Sequence, residues 1–371
     1  MVWVGLISYP LYLWHWPLLS FATIMETRTP SPAIRMTAIA LAFMLAWSTY
    51  FFIERPIRFG RRSRTKVSAL VLPMILLAGL GSVAYLKGNV RSSTLTAGVV
   101  DQIARLDFAL HFAKWSPCPN EADTWNCKIL NPDKPAEIAL IGDSHSVHLA
   151  SGLAELETVA DRNIISRNGN GCLPVFELEV GGMRYYDCED DVINKGLEEA
   201  IHSESVKEIM LSGYAVWRIR PIDDDLHLEE VSEEEVNEHA AILEKALHIT
   251  LSRLVASGKK IIFFVDTPVL DFEPTECTAM RPLYLNGHTS KDPCALPRPL
   301  FEQRNAEYHR IIKSAQKTFP TVEFINLYDT LCDQDLCYAQ KDGVLLYRDH
   351  SHLSADGSRY VFSKIEDELH L

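Results

Sequence analysis

The chain has 371 residues, 47% hydrophobic and 23% charged, with a formal net charge of -13. That length accommodates more than one folded unit, and the composition is uneven: the first 90 residues are apolar with basic punctuation, and the rest is polar and acidic. An acidic solvated surface argues against nucleic acid as a partner.

Residues 2–25, 36–53 and 67–86 contain no Asp, Glu, Lys or Arg, and each is close to the roughly twenty residues a helix needs to cross a bilayer. Three spans are therefore expected, the first kinked by Pro10 and Pro17, which neighbouring helices tolerate in lipid. A cleaved signal peptide fits the first run poorly, because no basic region precedes it. Between the second and third spans lie Arg55, Arg58, Arg61, Arg62, Arg64 and Lys66 against Glu54. The positive-inside bias puts that loop in the cytoplasm and everything after Lys87 on the far side. His15, within Tyr12-Leu-Trp-His-Trp16, reads as part of an interfacial aromatic belt rather than as a site.

All eight cysteines fall in the polar part. Their even number and short successive spacings suit local disulfides in an oxidising compartment, most simply Cys118/Cys127, Cys172/Cys188, Cys277/Cys294 and Cys332/Cys337. Zinc is the rival, but no CxxC and no compact Cys/His set is present, and no metal is expected.

Residues 88–135 read as a linker, with a short helical pattern over 100–112 followed by a cysteine-stapled loop. From 136 onward, strand-like runs at 137–141, 163–166, 207–211, 260–265 and 322–326 alternate with helical patterns, clearest at 232–256 and 301–318. Gly258 supplies a C-terminal stop to the first of these helices. The alternation predicts a parallel sheet covered on both faces, with catalytic groups beyond the carboxyl ends of the strands.

The chemistry concentrates at two places. Residues 137–141 form a short apolar strand, Gly142 and Asp143 a tight exit, and Ser144 opens a helical pattern. A serine at that corner sits beside the unpaired N–H groups of a first helical turn, which can hold a developing oxyanion. Near the other end, Asp349-His350-Ser351-His352 sets an aspartate three residues before a histidine. Such a carboxylate can bind the nearer ring nitrogen and leave the other free, so Ser144, His352 and Asp349 supply nucleophile, base and orienter.

The GDSH around Ser144 and the DxxH of Asp349 and His352, about two hundred residues apart, resemble the first and last blocks of the SGNH (GDSL-like) hydrolase superfamily. Upstream, ISYPLYLWHWPL at 7–18 and Glu54-Arg-Pro56 resemble the closing membrane segments of the acyltransferase-3 family. The combination is similar to bacterial membrane O-acyltransferases fused to a periplasmic SGNH domain, including those that acetylate lipopolysaccharide O-antigen. It implies an α/β, three-layer α/β/α, flavodoxin-like SGNH domain at 136–371, preceded by about three transmembrane helices in 1–87 and a periplasmic linker at 88–135. It also implies no bound cofactor, with acetyl-CoA as donor on the cytoplasmic side. The earlier acyltransferase-3 helices are expected in a longer membrane domain or a separate partner. The protein would then sit in the bacterial inner membrane with its C-terminal domain in the periplasm.

His350 is the nearest rival for the base; His352 is preferred because the family's histidine follows its aspartate by three, and because Leu353-Ser-Ala can start a helix that fixes it. Asp143 reads as a turn-forming carboxylate, and His145 and His148 as packing residues. The family's second block matches Arg167-Asn-Gly-Asn-Gly-Cys-Leu-Pro174, making Gly171 the expected backbone donor to an oxyanion. The third block falls near Leu211-Ser-Gly-Tyr-Ala-Val-Trp217 and lacks the family's asparagine. The N–H groups of Ser144 and Gly171 are therefore expected to form the oxyanion hole, with Trp217 shaping the acceptor site and Asn170 as a substitute donor. Tyr185, Tyr186, Tyr214, Trp217 and Tyr347 are aromatics that either pack or stack on sugar rings. The expected activity is transfer of an acyl group, most simply acetyl, through an acyl-serine to a hydroxyl of a bacterial glycan; a carbohydrate esterase and an inactive glycan-binding module are the alternatives.

Overall fold

The computed structural model describes residues 2–26, 30–59, 64–86, 106–119, 125–176, 192–220, 231–277 and 292–369. These form two compact units, the helices up to Leu86 and the elements from Phe108 onward.

In the first unit, α1 (Val2–Glu26) packs on α2 (Pro32–Thr49). Ser31 caps α2 by accepting the N–H of Ile34, and Pro32 starts the helix where its missing N–H costs nothing. Buried Ala38, Ala42 and Ala46 recur every four residues along α2, the small-residue stripe that lets two helix backbones approach in lipid. Trp14 donates to the Thr49 hydroxyl at 2.9 Å across the pair. The Nδ1 of His15 lies 3.1 Å from the carbonyls of both Leu11 and Tyr12, so its own helix satisfies it. The helix continues to Phe59, and Pro32–Phe59 is the one span among the described residues that is long and apolar enough to cross a bilayer. The third, α3 (Arg64–Leu86), holds a shorter apolar stretch, Val71–Val83.

The second unit is built on β1 (Ser116–Pro117), β2 (Cys127–Ile129), β3 (Ile138–Gly142), β4 (Ile164–Asn168), β5 (Glu208–Ser212), β6 (Lys260–Val265), β7 (Ala295–Pro297), β8 (Glu323–Asn326), β9 (Leu336–Tyr338), β10 (Gln340–Lys341) and β11 (Val344–Leu345). Its helices are α4 (Phe108–Phe112), α5 (Ser144–Leu153), α6 (Val192–His202), α7 (Ala215–Ile219), α8 (Glu233–Ala256), α9 (Arg298–Arg304), α10 (Ala306–Thr318), α11 (Tyr328–Leu331) and α12 (Ala355–Ile365). The main sheet runs β1-β2-β4-β3-β5-β6-β8, with β4, β3, β5, β6 and β8 parallel. The chain leaves β3 for β4 on one side and returns to β5 on the other. The crevice at the carboxyl end of β3 is therefore a topological switch point, where open α/β sheets bind their ligands.

Alternate residues of each central strand feed two cores. Ile138 and Leu140 of β3, Met210 of β5 and Ile262 and Phe264 of β6 pack with α5 and α12 on one face. Ala139, Ile141, Ile209, Leu211, Ile261 and Phe263 pack with α6, α8 and α10 on the other. Burial on both faces is why these strands read as continuous apolar runs. A capping box of Ser232 and Glu235 starts α8, and Gly258, at φ 73°, follows its end as expected.

Two features differ from the sequence expectation. Residues expected to belong to a linker instead join the folded unit: β2 pairs antiparallel with β4, and Phe108, Phe112 and Trp115 enter the core. Strands of two and three residues are too short for periodicity to reveal. The helix expected at 301–318 is two helices that meet at Asn305, whose side-chain amide donates to the Phe301 carbonyl at 2.8 Å and competes with the helical ladder. The pairs Cys118–Cys127, Cys277–Cys294 and Cys332–Cys337 form as expected. Cys172 is disulfide-bonded, and Cys188 lies outside the described residues.

Candidate active site

Strand β3 ends at Gly142, where a Cβ would lie 1.7 Å from the Ser212 carbonyl oxygen of the next strand, so no larger residue fits. Asp143 then caps α5. One carboxylate oxygen accepts the N–H of His145 and the other the N–H of Tyr214, both at 2.8 Å, tying the start of α5 to the loop after β5. Burial raises the Asp143 carboxyl above its ordinary range, against the lowering effect of His145 and the two N–H groups. The turn-forming reading of this residue agrees with the geometry. Ser144 follows as the first residue of α5, where its own N–H precedes the helical hydrogen-bond ladder.

His352 Nε2 lies 2.8 Å from Ser144 Oγ. On the other edge of the ring, Nδ1 lies 2.9 and 3.1 Å from the two oxygens of Asp349. With Nδ1–H donating to the carboxylate, Nε2 is left to accept the serine proton. Asp349 Oδ1 also accepts the N–H groups of Ser351 and His352, at 3.1 and 2.9 Å. Burial pushes the Asp349 carboxyl up, but the His352 ring and these N–H donors outweigh it and hold the group below the usual carboxylate range. The loop is clasped at its base by the Tyr347–Leu353 bridge and by Arg348 N–H donating to the His352 carbonyl at 2.9 Å. Leu270 N–H donates to the His350 carbonyl at 2.8 Å, and the His350 ring faces Glu273 at 3.4 Å. The structure thus brings Ser144, His352 and Asp349 together and turns His350 to a different carboxylate.

Three neighbours escaped the sequence reading. Phe108 stacks on the His352 ring at 5.5 Å and 28°, with the Arg348 guanidinium 4.9 Å from its centroid. Arg348 also reaches Asp107 at 3.5 Å and Asp349 at 3.8 Å. The helical pattern over 100–112 was visible, but nothing local tied it to a histidine far along the chain. The third is Asp266, immediately after β6, whose Oδ1 lies 2.7 Å from His145 Nδ1 with both side chains buried. Burial disfavours an imidazolium at His145, but the Asp266 charge and hydrogen bond, helped by Asp143 and Asp349, raise it above the ordinary histidine value. His148 is the opposite case: burial, then the charges of His145 and His352, push it well below that value, and its Nδ1 accepts the Leu353 N–H at 3.3 Å.

Among the expected oxyanion and acceptor residues, Gly171 lies in the turn after β4 at φ 67°, and its carbonyl accepts from Arg218. Gly169 N–H donates to the Gly142 carbonyl at 3.0 Å, which holds this turn beside the end of β3. Asn170 is exposed on the same turn. Trp217, on α7, packs parallel to Tyr214 at 6.2 Å, and Tyr214 stacks on His145 at 4.5 Å. One face of Tyr214 is therefore taken by His145, and its ring serves in packing rather than as a sugar platform. The same holds for Tyr347, which is 1% exposed and donates to the Pro268 carbonyl at 2.9 Å. Tyr185 and Tyr186 lie outside the described residues.

A family model described as the SGNH domain (fused to AT3 domains) matches residues 115–367. The peptidoglycan O-acetyltransferase OatA of Listeria monocytogenes serovar 1/2a is 37% identical over 57 residues, a stretch covering 15% of this chain and 9% of that relative. The periplasmic domain of a lipopolysaccharide acetyltransferase from Salmonella ser. Paratyphi A is similar at 18% identity and TM-score 0.45, over 64% of this chain and 84% of that one. A GDSL-like lipase from Bacteroides thetaiotaomicron is similar at 11% identity and TM-score 0.31, over 63% and 89%.

Proposed function

This chain belongs to the family of SGNH domains found fused to AT3 domains, and from that premise we propose that it is an O-acyltransferase acting on a cell-surface glycan such as lipopolysaccharide O-antigen. Ser144 Oγ attacks the acyl carbonyl of the donor while its proton passes to His352 Nε2. The bond to the donor's leaving group breaks, and that group takes the proton. A glycan hydroxyl then gives its proton to His352 and attacks the acyl-serine; the ester bond to Oγ breaks and Ser144 recovers the proton. Asp349 holds the ring in the required tautomer and balances the imidazolium formed in each half. The N–H groups of Ser144 and Gly171 carry the oxyanion in our reading, with Asn170 as a further donor and Trp217 bordering the acceptor. The acyl group is acetyl, supplied from acetyl-CoA through acyltransferase-3 helices. Three N-terminal spans anchor the protein in the inner membrane, with the SGNH domain in the periplasm, where its disulfides persist.

The observation that carries the reading is the 2.8 Å approach of His352 Nε2 to Ser144 Oγ, with Asp349 on the opposite ring nitrogen. Its test is incubation of the full chain in detergent with an acetyl ester donor, with and without bacterial polysaccharide, following acetyl by mass. Acetylated sugar is the expected product. Acetate alone, unaffected by polysaccharide, indicates an esterase, and turnover no greater than that of Ser144→Ala overturns the enzymatic reading.

A further inference from the structure

Next to the nucleophile is a second histidine–carboxylate pair that the steps above leave unused. His145 follows Ser144 on the first turn of α5, and Asp266 follows β6, two strands away in the sheet. Their 2.7 Å bond pins the residue beside the nucleophile to a different strand end. Asp266 Oδ1 is itself held by the Thr267 N–H at 2.8 Å. The His145 ring lies 4.9 Å from the His352 ring, centroid to centroid, and its face is stacked on Tyr214.

As a source of stability the arrangement is poor. Among the described residues, His145 Nε2 and Asp266 Oδ2 are buried without a hydrogen-bond partner, and apolar side chains of similar volume commonly stabilise a core as well as a buried pair does. What apolar side chains lack is direction. A charge-assisted bond fixes the rotation of the His145 ring, and through it both the turn carrying Ser144 and the surface against which His352 rests.

We propose that His145 and Asp266 form a positioning pair for acyl transfer, holding Ser144 and His352 in register so that the rate of the chemical step, rather than substrate binding, depends on their bond. The inference rests on Ser144 being the nucleophile. The scale is taken by analogy with the outer partners that orient metal-ligating histidines, whose loss costs about 10- to 100-fold.

The test uses the full chain in detergent and follows acylation of Ser144 by p-nitrophenyl acetate, with the folded fraction measured by circular dichroism. Asp266→Asn and His145→Leu are expected to lower kcat about 10- to 100-fold at unchanged KM. His145→Asn, whose amide can donate from near the position of Nδ1, should recover most of that loss. A low-field proton resonance from the buried Nδ1–H should persist in Ser144→Ala and disappear in Asp266→Asn. Parental kcat in Asp266→Asn overturns the inference, as does a loss confined to KM, a loss matching the unfolded fraction, or failure of His145→Asn to exceed His145→Leu. If the parent chain itself is not acylated at Ser144, the proposed function falls and this inference with it.

Discussion

Replacing Asp349 with asparagine tests the electrostatics of the site with little change of shape. Asp349 Oδ1 receives the N–H groups of Ser351 and His352, so the amide oxygen of the variant takes that position. Its NH2 then takes the place of Oδ2, 3.1 Å from His352 Nδ1. A donor there competes with the amide oxygen, which stays 2.9 Å from the same ring nitrogen, and so weakens the preference for the Nδ1–H tautomer that leaves Nε2 free to accept from Ser144. The lost charge adds to this. A carboxylate and an imidazolium roughly 4 Å apart interact by about 4 kcal/mol near a protein surface, or about 10³-fold in rate. Asp349 is 29% exposed, so solvent screening trims the charge effect and the tautomer effect restores part of it. The expected fall in kcat for acetyl-ester cleavage is about 10²- to 10⁴-fold, with KM within threefold, roughly the range seen when a triad carboxylate is neutralised elsewhere. A fall of less than about tenfold in a folded variant would refute the reasoning.

Further outcomes follow from the same geometry. Phe108→Leu should lower kcat by about two- to tenfold at constant KM, because a stacked aromatic contact contributes about 0.5–1.5 kcal/mol; unchanged kinetics would show that the contact does not steady His352. His148 is held neutral by burial, so the folded state binds its proton less readily than the unfolded chain, and stability should fall as pH drops through the unfolded histidine value near 6.5. His148→Asn keeps an acceptor for the Leu353 N–H and should flatten the dependence of Tm on pH between about 7 and 5; an unaltered slope would assign it to another group. Breaking Cys277–Cys294, which links residues 17 apart, should cost about 3 kcal/mol in denaturant titration. No loss on its removal would mean that the loop is held by other contacts.

The parts of this site that were legible in the sequence are local. Ser144 was readable because an apolar strand, a glycine and a capping aspartate precede it, and Asp349 with His352 because three residues suffice to bring carboxylate and imidazole together. Asp266 was not, since it meets His145 across 121 residues and only the order of strands β3, β5 and β6 makes them neighbours. Its one signal was position: an aspartate directly after an apolar strand, at the sheet end where catalytic groups gather. Phe108 was lost for another reason. A short helical pattern over 100–112 ahead of the sheet looks like part of a connector until the long-range packing of Phe108, Phe112 and Trp115 is seen. Whether Tyr214 and Tyr347 pack or stack on sugar stayed open in the sequence, because residue type reveals an aromatic ring but not what already lies against it.

The acyl-serine is the claim on which the whole account turns, and rapid acid quench of the full chain mixed with acetyl donor, followed by peptide mass analysis, tests it directly. The account predicts acetyl on the peptide bearing Ser144, its loss from that peptide when polysaccharide is added, and its absence in His352→Gln. Acetyl found on a different residue, or polysaccharide acetylated at parental rate by Ser144→Ala, would contradict it.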